Sequence, residues 1–325
     1  MNAPKPDLST VPESRWPHWL AWVLACATFP LVWMGGLVTT YEAGMAVPDW
    51  PTTYGHWFYP LQRWLWSFTD LFLEHGHRTI AQAVGLITIA LAVAIWRTDL
   101  RRVMRWLAVA AVVGVILQGT LGGLRVIFDK RLLAKIHGCT APLFFALCAV
   151  LVVMTSTAWR QSKPAEHAAA TTLRRLSATT AAGVYLLIVL GAQLRHLAPD
   201  AWHGWFTIWV WAKLIAVAAV TILVVLLVRA VLKSARDRRR IVRRTWWLAG
   251  LFSVQLVLGA GAWVTNYGWP AWFRNYVWNI DYTIAAEGPL QVWTTTGHAA
   301  VGSLVLVASI AVCLWTYGLL RPAGR

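Results

Sequence analysis

The chain has 325 residues, of which 58% are hydrophobic and 13% charged, and its mean hydropathy is +0.55. Soluble domains carry about 25% charged residues, so this composition excludes a disordered chain and argues against a soluble fold. The net charge of +16 would favour nucleic-acid binding in a soluble protein. Here the basic residues flank apolar stretches, which indicates membrane lipids and not nucleic acid as partners.

Eight apolar stretches are long enough to cross the bilayer core, which takes roughly 20 residues. All should be helical, because a chain in hydrocarbon must pair its backbone polar groups internally. The predicted fold class is an all-α integral membrane protein with eight transmembrane helices. The predicted spans are 19–40, 75–96, 107–127, 137–159, 177–197, 206–230, 246–266 and 291–318.

The two halves of the chain share a weak repeat. The pattern QxxLG begins at Gln118 in the third span and at Gln255 in the seventh. A repeat of four spans preserves orientation across the membrane, so we predict two pseudo-symmetric four-helix bundles. The division is a tail at 1–18, an N-terminal half at 19–159, a linker at 160–176, a C-terminal half at 177–318 and a tail at 319–325.

The placement of basic residues predicts the orientation. About 20 of them lie on the side of the N-terminus and about 7 on the opposite side, so the positive-inside rule puts both termini in the cytoplasm. We therefore expect a multi-pass protein of the inner membrane. Basic runs such as 236–244 are typical of anchors that contact anionic lipid headgroups.

The four cysteines all lie in apolar stretches, and none belongs to a CxxC pair. We predict that they are small buried apolar side chains, and we expect no disulfide and no thiol relay through the outer loops. Their positions are Cys26, Cys139, Cys148 and Cys313.

The first outer connection follows a pair of glycines. Residues 35–55 read GGLVTTYEAGMAVPDWPTTYG, and Gly and Pro make this a tight, rigid segment. The glycines permit the close approach of another helix or of a flat macrocycle. The connections 41–74 and 267–287 are rich in Trp and Tyr, which suits both an aromatic belt at the headgroups and a cover over the outer face.

The second span opens on a dense group of ionisable residues, EHGHR at 74–78. Helical spacing places Glu74 on the same face as His77 and Arg78. Ionisable side chains within spans indicate a functional site by default, and four in five residues exceed what a membrane anchor needs.

A second histidine, His137, opens the fourth span. Two histidines that face each other across a four-helix bundle can hold a b-type haem. We therefore predict that His77 and His137 form such a pair in the N-terminal half.

The C-terminal half offers only one well-placed histidine, His298 in the eighth span, since the sixth span contains Lys213 and no histidine there. Lys213 has three interpretations: a neutral amine ligand of iron, a partner for a haem propionate, or a residue that snorkels to the interface. His196 and His203 lie near the outer interface and suit surface or substrate-edge positions.

These motifs resemble the haem A synthase family of cytochrome oxidase assembly enzymes. The resemblance rests on the run at 35–55, on EHGHR and on the histidine that opens the fourth span. It extends over nearly the whole chain but is looser in the second half, where it depends on GAQLRH at 191–196 and on His298.

The resemblance implies an enzyme that oxidises the C8 methyl group of haem O to the formyl group of haem A. It implies that His77 and His137 bind the iron of this substrate, that Glu74 is essential for the oxidation, and that a haem b cofactor lies in the C-terminal half. It also implies haem O synthase and cytochrome oxidase assembly as partners. The electron donor or acceptor stays unknown, and a homo-oligomer stays open.

Two departures from the family pattern are visible. The outer-loop cysteine pair of some members is absent, and Lys213 stands where the sixth-span histidine is expected. The second haem is then bound by His298 alone, bound by His298 and Lys213, or lost.

Chemistry suggests further roles. Glu74, one turn from His77, is placed to stabilise positive charge at the oxidised carbon or to take up its proton. Haem propionates would meet Arg78, Arg125 and Arg195 at the outer edge. The alternatives are a b-type cytochrome that transfers electrons, and a transporter or non-catalytic assembly factor. A carboxylate one turn from the histidine favours the enzyme.

Overall fold

The computed structural model of the protein describes residues 14–57, 59–67, 70–198, 201–277 and 284–323. Within these ranges eight helices are long and apolar enough to cross a membrane, which confirms the predicted all-α membrane fold. We number these helices as spans one to eight: Trp16–Thr40, Asp70–Thr98, Arg102–Phe128, Arg131–Thr155, Ala170–Arg195, His203–Ser234, Arg239–Tyr267 and Pro289–Leu319. Most of the predicted tail at 1–18, and Trp278 and Tyr282 of the aromatic connection, lie outside the described residues.

Several helices extend beyond the predicted apolar stretches. The fifth begins at Ala170 and the seventh at Arg239, seven residues before the predicted starts, because arginines are good helix formers and keep their charged ends in water. The fourth ends earlier than predicted, at Thr155. Ser156 there adopts an extended backbone, and its side chain accepts a hydrogen bond from Trp159 N to cap the short helix Thr157–Arg160.

Three more short helical segments lie in the connections, one short strand lies in the linker between the halves, and a second follows the eighth span. The helical segments are the 3₁₀ turn Ala43–Met45 and the helices Leu61–Leu65 and Ala271–Tyr276. The strand Ala165–His167 pairs in parallel with Leu320–Pro322. The predicted linker is therefore tied to the end of the eighth span.

The spans of each half pack in a ring. The first and third spans each contact the second and the fourth, and the fifth and seventh each contact the sixth and the eighth. The second and fourth spans are thus diagonal to each other, as are the sixth and eighth. Contacts of the first and fourth spans with the eighth, and of the fourth with the fifth, join the halves. A pseudo-two-fold relation between the halves stays a prediction.

Each half has its own apolar core. One core includes Leu91, Met104 and Leu151, and the other includes Leu173, Leu227 and Leu248. All six lie towards the end of the bundle that carries the basic connections, which we call the basic end. The opposite end carries the long connection 41–69, and we call it the loop end. Apolar packing thus fills the basic end and leaves the polar residues to the loop end.

The basic end is held by a buried carboxylate. Asp99 bonds Arg101 at 2.6 Å and Arg160 at 3.5 Å. Burial alone would raise the pKa of Asp99, but the hydrogen bonds and positive charge of the two arginines lower it overall. The connection between the second and third spans is thereby fastened to the end of the fourth.

The prediction that all four cysteines are buried is wrong for three of them. Cys148 is buried, Cys139 and Cys313 are half-buried, and Cys26 is exposed on the outside of the bundle. The outside of a span contacts lipid, so a small apolar side chain satisfies that face as well as the interior.

Candidate functional site

A carboxylate buried at the loop end binds the first connection to the second span. The side chain of Glu74 is buried, and its Oε2 accepts a hydrogen bond from Val47 N at 2.8 Å. Its Oε1 accepts a hydrogen bond from Nη2 of Arg78 at 2.5 Å, as the predicted shared helical face requires. Both carboxylate oxygens therefore have partners, and one of them reaches across to the connection.

Arg78 fixes the same connection through its backbone. Its Nη1 donates to the carbonyls of Asp49 at 2.6 Å and Thr52 at 3.0 Å, and its Nη2 also donates to Val47 O at 3.1 Å. We call residues 47–55 the lip. Since the guanidinium of Arg78 is occupied by the lip and by Glu74, its observed role is to position the lip.

The lip is also braced internally. Asp49 accepts hydrogen bonds from Tyr54 N at 2.7 Å, from Gly55 N at 3.0 Å and from the hydroxyl of Thr52. Burial would raise the pKa of Asp49, but these hydrogen bonds to the ionised form lower it overall. Gly55 has a φ of +77°, a left-handed conformation that glycine adopts without strain. The lip is thus a built structure and not a loose loop.

The two predicted haem ligands of the N-terminal half lie on the diagonal pair of spans, and each ring rests on a glycine. A Cβ atom placed on Gly35 would lie 3.0 Å from Cε1 of His77, and one placed on Gly122 would lie 3.4 Å from Cε1 of His137. The glycines of the first and third spans therefore let the histidine rings lie directly against helix backbone.

In the C-terminal half, too, each candidate ligand side chain rests on a glycine of a neighbouring span. A Cβ atom on Gly259 of the seventh span would lie 2.9 Å from Cε1 of His298. One on Gly191 of the fifth span would lie 3.2 Å from Nζ of Lys213. Lys213 and His298 belong to the diagonal sixth and eighth spans. The structure thus places the two residues that the sequence left unpaired on opposite sides of one ring of helices.

The glutamines of the repeated QxxLG pattern lie beside the histidine-bearing spans. Gln255 contacts His298 directly. The backbone carbonyl oxygen of Gln255 is 3.2 Å from Nδ1 of His298, and the side-chain Nε2 of Gln255 is 3.5 Å from Nε2 of the imidazole. Gln118 donates from Nε2 to the hydroxyl of Thr140, one turn beyond His137, at 2.5 Å. The repeat revealed these positions in the sequence, but their contact with the histidine-bearing helices was not predicted.

The other two arginines predicted to meet propionates also contact the first span and the turn after it. Arg125 donates from Nη2 to Gly44 O at 3.1 Å. Arg195 donates from Nη2 to Gly36 O and to the hydroxyl of Thr40, both at 2.8 Å. Thr40 is in turn 3.0 Å from the hydroxyl of Thr296 on the eighth span. Arg195 therefore lies at the junction of the two halves.

His196, placed by the sequence at the outer interface, lies in a positively charged pocket at the end of the fifth span. Its pKa is lowered to about 4, first by burial and then by the charges of Arg195, Arg125, Lys135 and Arg131. A neutral histidine among four cations is suited to receive an anion. The side chain of His203 lies outside the described residues.

The residues fit an iron porphyrin better than a bare metal ion. Among the described residues, no three His, Cys, Asp or Glu side chains group as an ion site requires, whereas haem iron needs only axial ligands. Nδ1 of His77 and Nδ1 of His137 are buried without a hydrogen-bond partner in the described part of the chain. Buried polar atoms of this kind usually have a partner. The glycines beside the two rings carry no side chain, which leaves room for a flat group such as a porphyrin to approach.

Comparison with known proteins finds a matching family model and proteins of similar sequence. The COX15-CtaA family model, described as a cytochrome oxidase assembly protein, matches residues 18–202. A protein of Exiguobacterium named "Heme A synthase" is 27% identical over 71% of this chain and 77% of its own length. A protein of the same name from Bacillus licheniformis is 25% identical over 70% of this chain and 78% of its own length. Another from Shouchella clausii is 30% identical over 50% of this chain and 53% of its own length.

Proposed function

Because the chain belongs to the COX15-CtaA family of cytochrome oxidase assembly proteins, we propose that it is a haem A synthase that oxidises the C8 methyl group of haem O to a formyl group. The observation that supports this most is the placement of His77 and His137. They lie on diagonal spans of one ring, each against a glycine, with a buried carboxylate one helical turn from His77.

We assign the substrate's axial ligands to His77 and His137. The bound iron would supply the oxidising chemistry, which no side chain can provide. The protein's part is to orient the ring and to exclude water. The lip is suited to this second task, because Glu74 and Arg78 hold it against the loop end of the second span.

We assign to Glu74 the stabilisation of positive charge at the carbon being oxidised. Its two hydrogen bonds, from an amide and a guanidinium, fix the direction of the carboxylate. A fixed negative charge in a site with little water stabilises a cationic transition state without the cost of reorienting solvent. The same carboxylate is placed to receive the proton that leaves that carbon.

The propionates of the substrate are assigned to the positive pocket around His196. Arg125 donates a hydrogen bond to Gly44 O, and Lys135 donates one to Oε1 of Gln193. Both side chains retain further donors for a carboxylate. Arg195 contributes its charge from the junction. Arg78 is assigned to the lip, because its donors are already taken up there.

The membrane placement follows from the same proposal. Eight spans make the protein multi-pass. We place the loop end on the outer side and the basic end in the cytoplasm, because about 20 basic residues flank the spans there. The chain would act beside haem O synthase, which must supply its substrate.

One observation supports the b-type cytochrome as a second candidate. Both oxygens of Glu74 are used in fastening the lip, and a structural role of this kind does not need oxidation chemistry. In a cytochrome the haem would be bound unchanged.

Extraction of porphyrins from membranes decides between the two. The chain is co-expressed with a haem O synthase in cells that otherwise make no haem A, and the porphyrins are separated by chromatography. Haem A in these cells, and its loss in the His77→Ala variant, is the expected result. Haem O and haem b alone, in a protein that binds haem, would support the cytochrome and contradict the synthase.

A further inference from the structure

The fifth to eighth spans contain one charged side chain that lies ten or more residues from both ends of its helix, the partly buried Lys213. Lys213 makes no hydrogen bond or ion pair with any residue in the described part of the chain. Neither aspartate nor glutamate occurs in 170–195, 203–234, 239–267 or 289–319. An ammonium in such a place is unfavourable unless it is neutralised or meets a ligand.

Lys213 is not placed as a residue that snorkels to water. It lies ten residues beyond His203, where its helix begins, and at a rise of about 1.5 Å per residue this is about 15 Å along the helix. His298 lies nine residues beyond Pro289, where the eighth span begins, so the two side chains start from similar depths. The amine is directed at the backbone of the fifth span beside Gly191.

The position of Lys213 corresponds to that of a histidine ligand in the other half. His77 of the second span rests on Gly35 of the first, and Lys213 of the sixth span rests on Gly191 of the fifth. In the same way, His137 rests on Gly122 and His298 rests on Gly259. All four side chains therefore lie on the diagonal spans of their rings, each against a glycine of the preceding span.

His298 is oriented as a metal-ligating histidine. Its Nδ1 lies 3.2 Å from the backbone carbonyl of Gln255. A bond of this type from one ring nitrogen usually orients a ligating imidazole and leaves the other nitrogen for the metal. Nε2 has a long contact of 3.5 Å with the side-chain amide of Gln255, which a bound iron would replace.

We propose that Lys213 is an axial ligand of a second iron porphyrin, bound through its neutral amine across the bundle from His298. The inference rests on the proposed function, since it takes the N-terminal half to be the substrate site. On this proposal Lys213 takes over the role of the expected histidine, and the second haem site is retained. A role as a propionate partner fits less well, because propionates belong at the loop end, where Arg195 ends the fifth span.

The experiment isolates the second site and reads ligation directly. The His77→Ala variant, which lacks one ligand of the first site, is purified and reconstituted with haem b. The ferric form is studied by electron paramagnetic resonance and near-infrared magnetic circular dichroism, which distinguish an amine–imidazole pair from two imidazoles. We expect a low-spin haem with the amine–imidazole signature.

Two substitutions in this background separate ligation from charge. Lys213→His should keep a low-spin haem and convert its signature to that of two imidazoles. Lys213→Arg keeps the positive charge but cannot ligate iron, so the low-spin signal should be lost. Lys233→Arg, in the last turn of the same span at the basic end, is the matched control and should not change the spectra.

Several outcomes would overturn the proposal. A low-spin signal that survives in Lys213→Arg would assign the residue to a propionate, and an unchanged spectrum in both Lys213 variants would show that it does not contact the haem. No haem in the folded His77→Ala protein would show that the second site is lost. These spectra use haem b alone, so their result does not depend on whether the protein forms haem A. Haem A formation is measured separately, by the porphyrin extraction.

Discussion

The backbone amide of Val47 donates a hydrogen bond to Oε2 of Glu74 across 2.8 Å. The acidic side chain assigned to the oxidation therefore also fastens the lip over the loop end. A substitution of Glu74 changes both functions unless it is chosen to preserve the hydrogen bond.

Glu74→Gln separates these two functions. The amide oxygen can still accept from Val47 N. The NH₂ group cannot accept the bond from Arg78, but Arg78 keeps its bonds to three carbonyls of the lip. The lip and the bound haem should therefore be retained, whereas the negative charge is lost. We expect haem A formation to fall by about 100-fold or more, the range of a lost catalytic group. Porphyrin extraction measures the product, and the haem spectrum of the purified protein measures retention.

Asp70→Asn is the matched control for this substitution, because Asp70 is an exposed carboxylate one turn earlier on the same helix. It should leave haem A formation unchanged. Haem A at the wild-type level in Glu74→Gln would restrict Glu74 to a structural role.

Gly35→Ala tests whether the histidine rings need glycine beside them. The added Cβ would lie 3.0 Å from Cε1 of His77, so the ring must shift by a few tenths of an ångström from its position opposite His137. We expect haem binding at the first site to weaken about tenfold, or about 1.4 kcal/mol, as measured by titration of the purified protein. Gly85→Ala, where the added atom meets nothing within 4 Å, should bind normally. Equal affinity in the two variants would show that the ring does not depend on Gly35.

Arg125→Ala tests the assignment of the propionates. Loss of a charge-assisted hydrogen bond costs about 1.5–3 kcal/mol, so the affinity for haem should fall by about 10- to 100-fold. A haem with esterified propionates should bind wild type and Arg125→Ala equally, because it has no carboxylate for the arginine to meet. Lys130→Ala, at an exposed lysine of the neighbouring connection, is the control. An ester that still discriminates between wild type and Arg125→Ala would refute the assignment.

His196 should make stability depend on pH. Its pKa is lowered from 6.5 to about 4 in the folded protein. Between these values the unfolded chain binds a proton that the folded chain does not, so stability falls as the pH drops from about 6.5 towards 4. The contribution should be about 1–2 kcal/mol after screening by solvent. Thermal unfolding in detergent at pH 7 and pH 5 should show a smaller loss for His196→Gln than for wild type. Equal losses would mean that His196 is solvated.

The sequence predicted the eight helices and selected the candidate site residues, because apolar length and the rarity of ionisable groups in spans are local signals. His77, His137 and His298 could be selected in this way. Their glycine partners could not, since Gly122 and Gly259 lie on other helices and only the packing reveals the contact.

The role of Arg78 was also beyond sequence reasoning. Helical spacing predicted its pairing with Glu74, but not its bonds to the backbone carbonyls of the lip. Those carbonyls lie more than twenty residues earlier, and their direction depends on how the lip folds. The same holds for Arg195, whose bond to Gly36 O joins residues 159 positions apart.

The proposed function depends on one iron porphyrin that lies between His77 and His137. A density map of the purified protein loaded with haem O, obtained by electron cryo-microscopy, tests it most directly. We expect iron within bonding distance of a ring nitrogen of both histidines, with the C8 methyl group directed towards Glu74. A porphyrin bound elsewhere, or the two rings packed against each other with no macrocycle between them, would contradict the account.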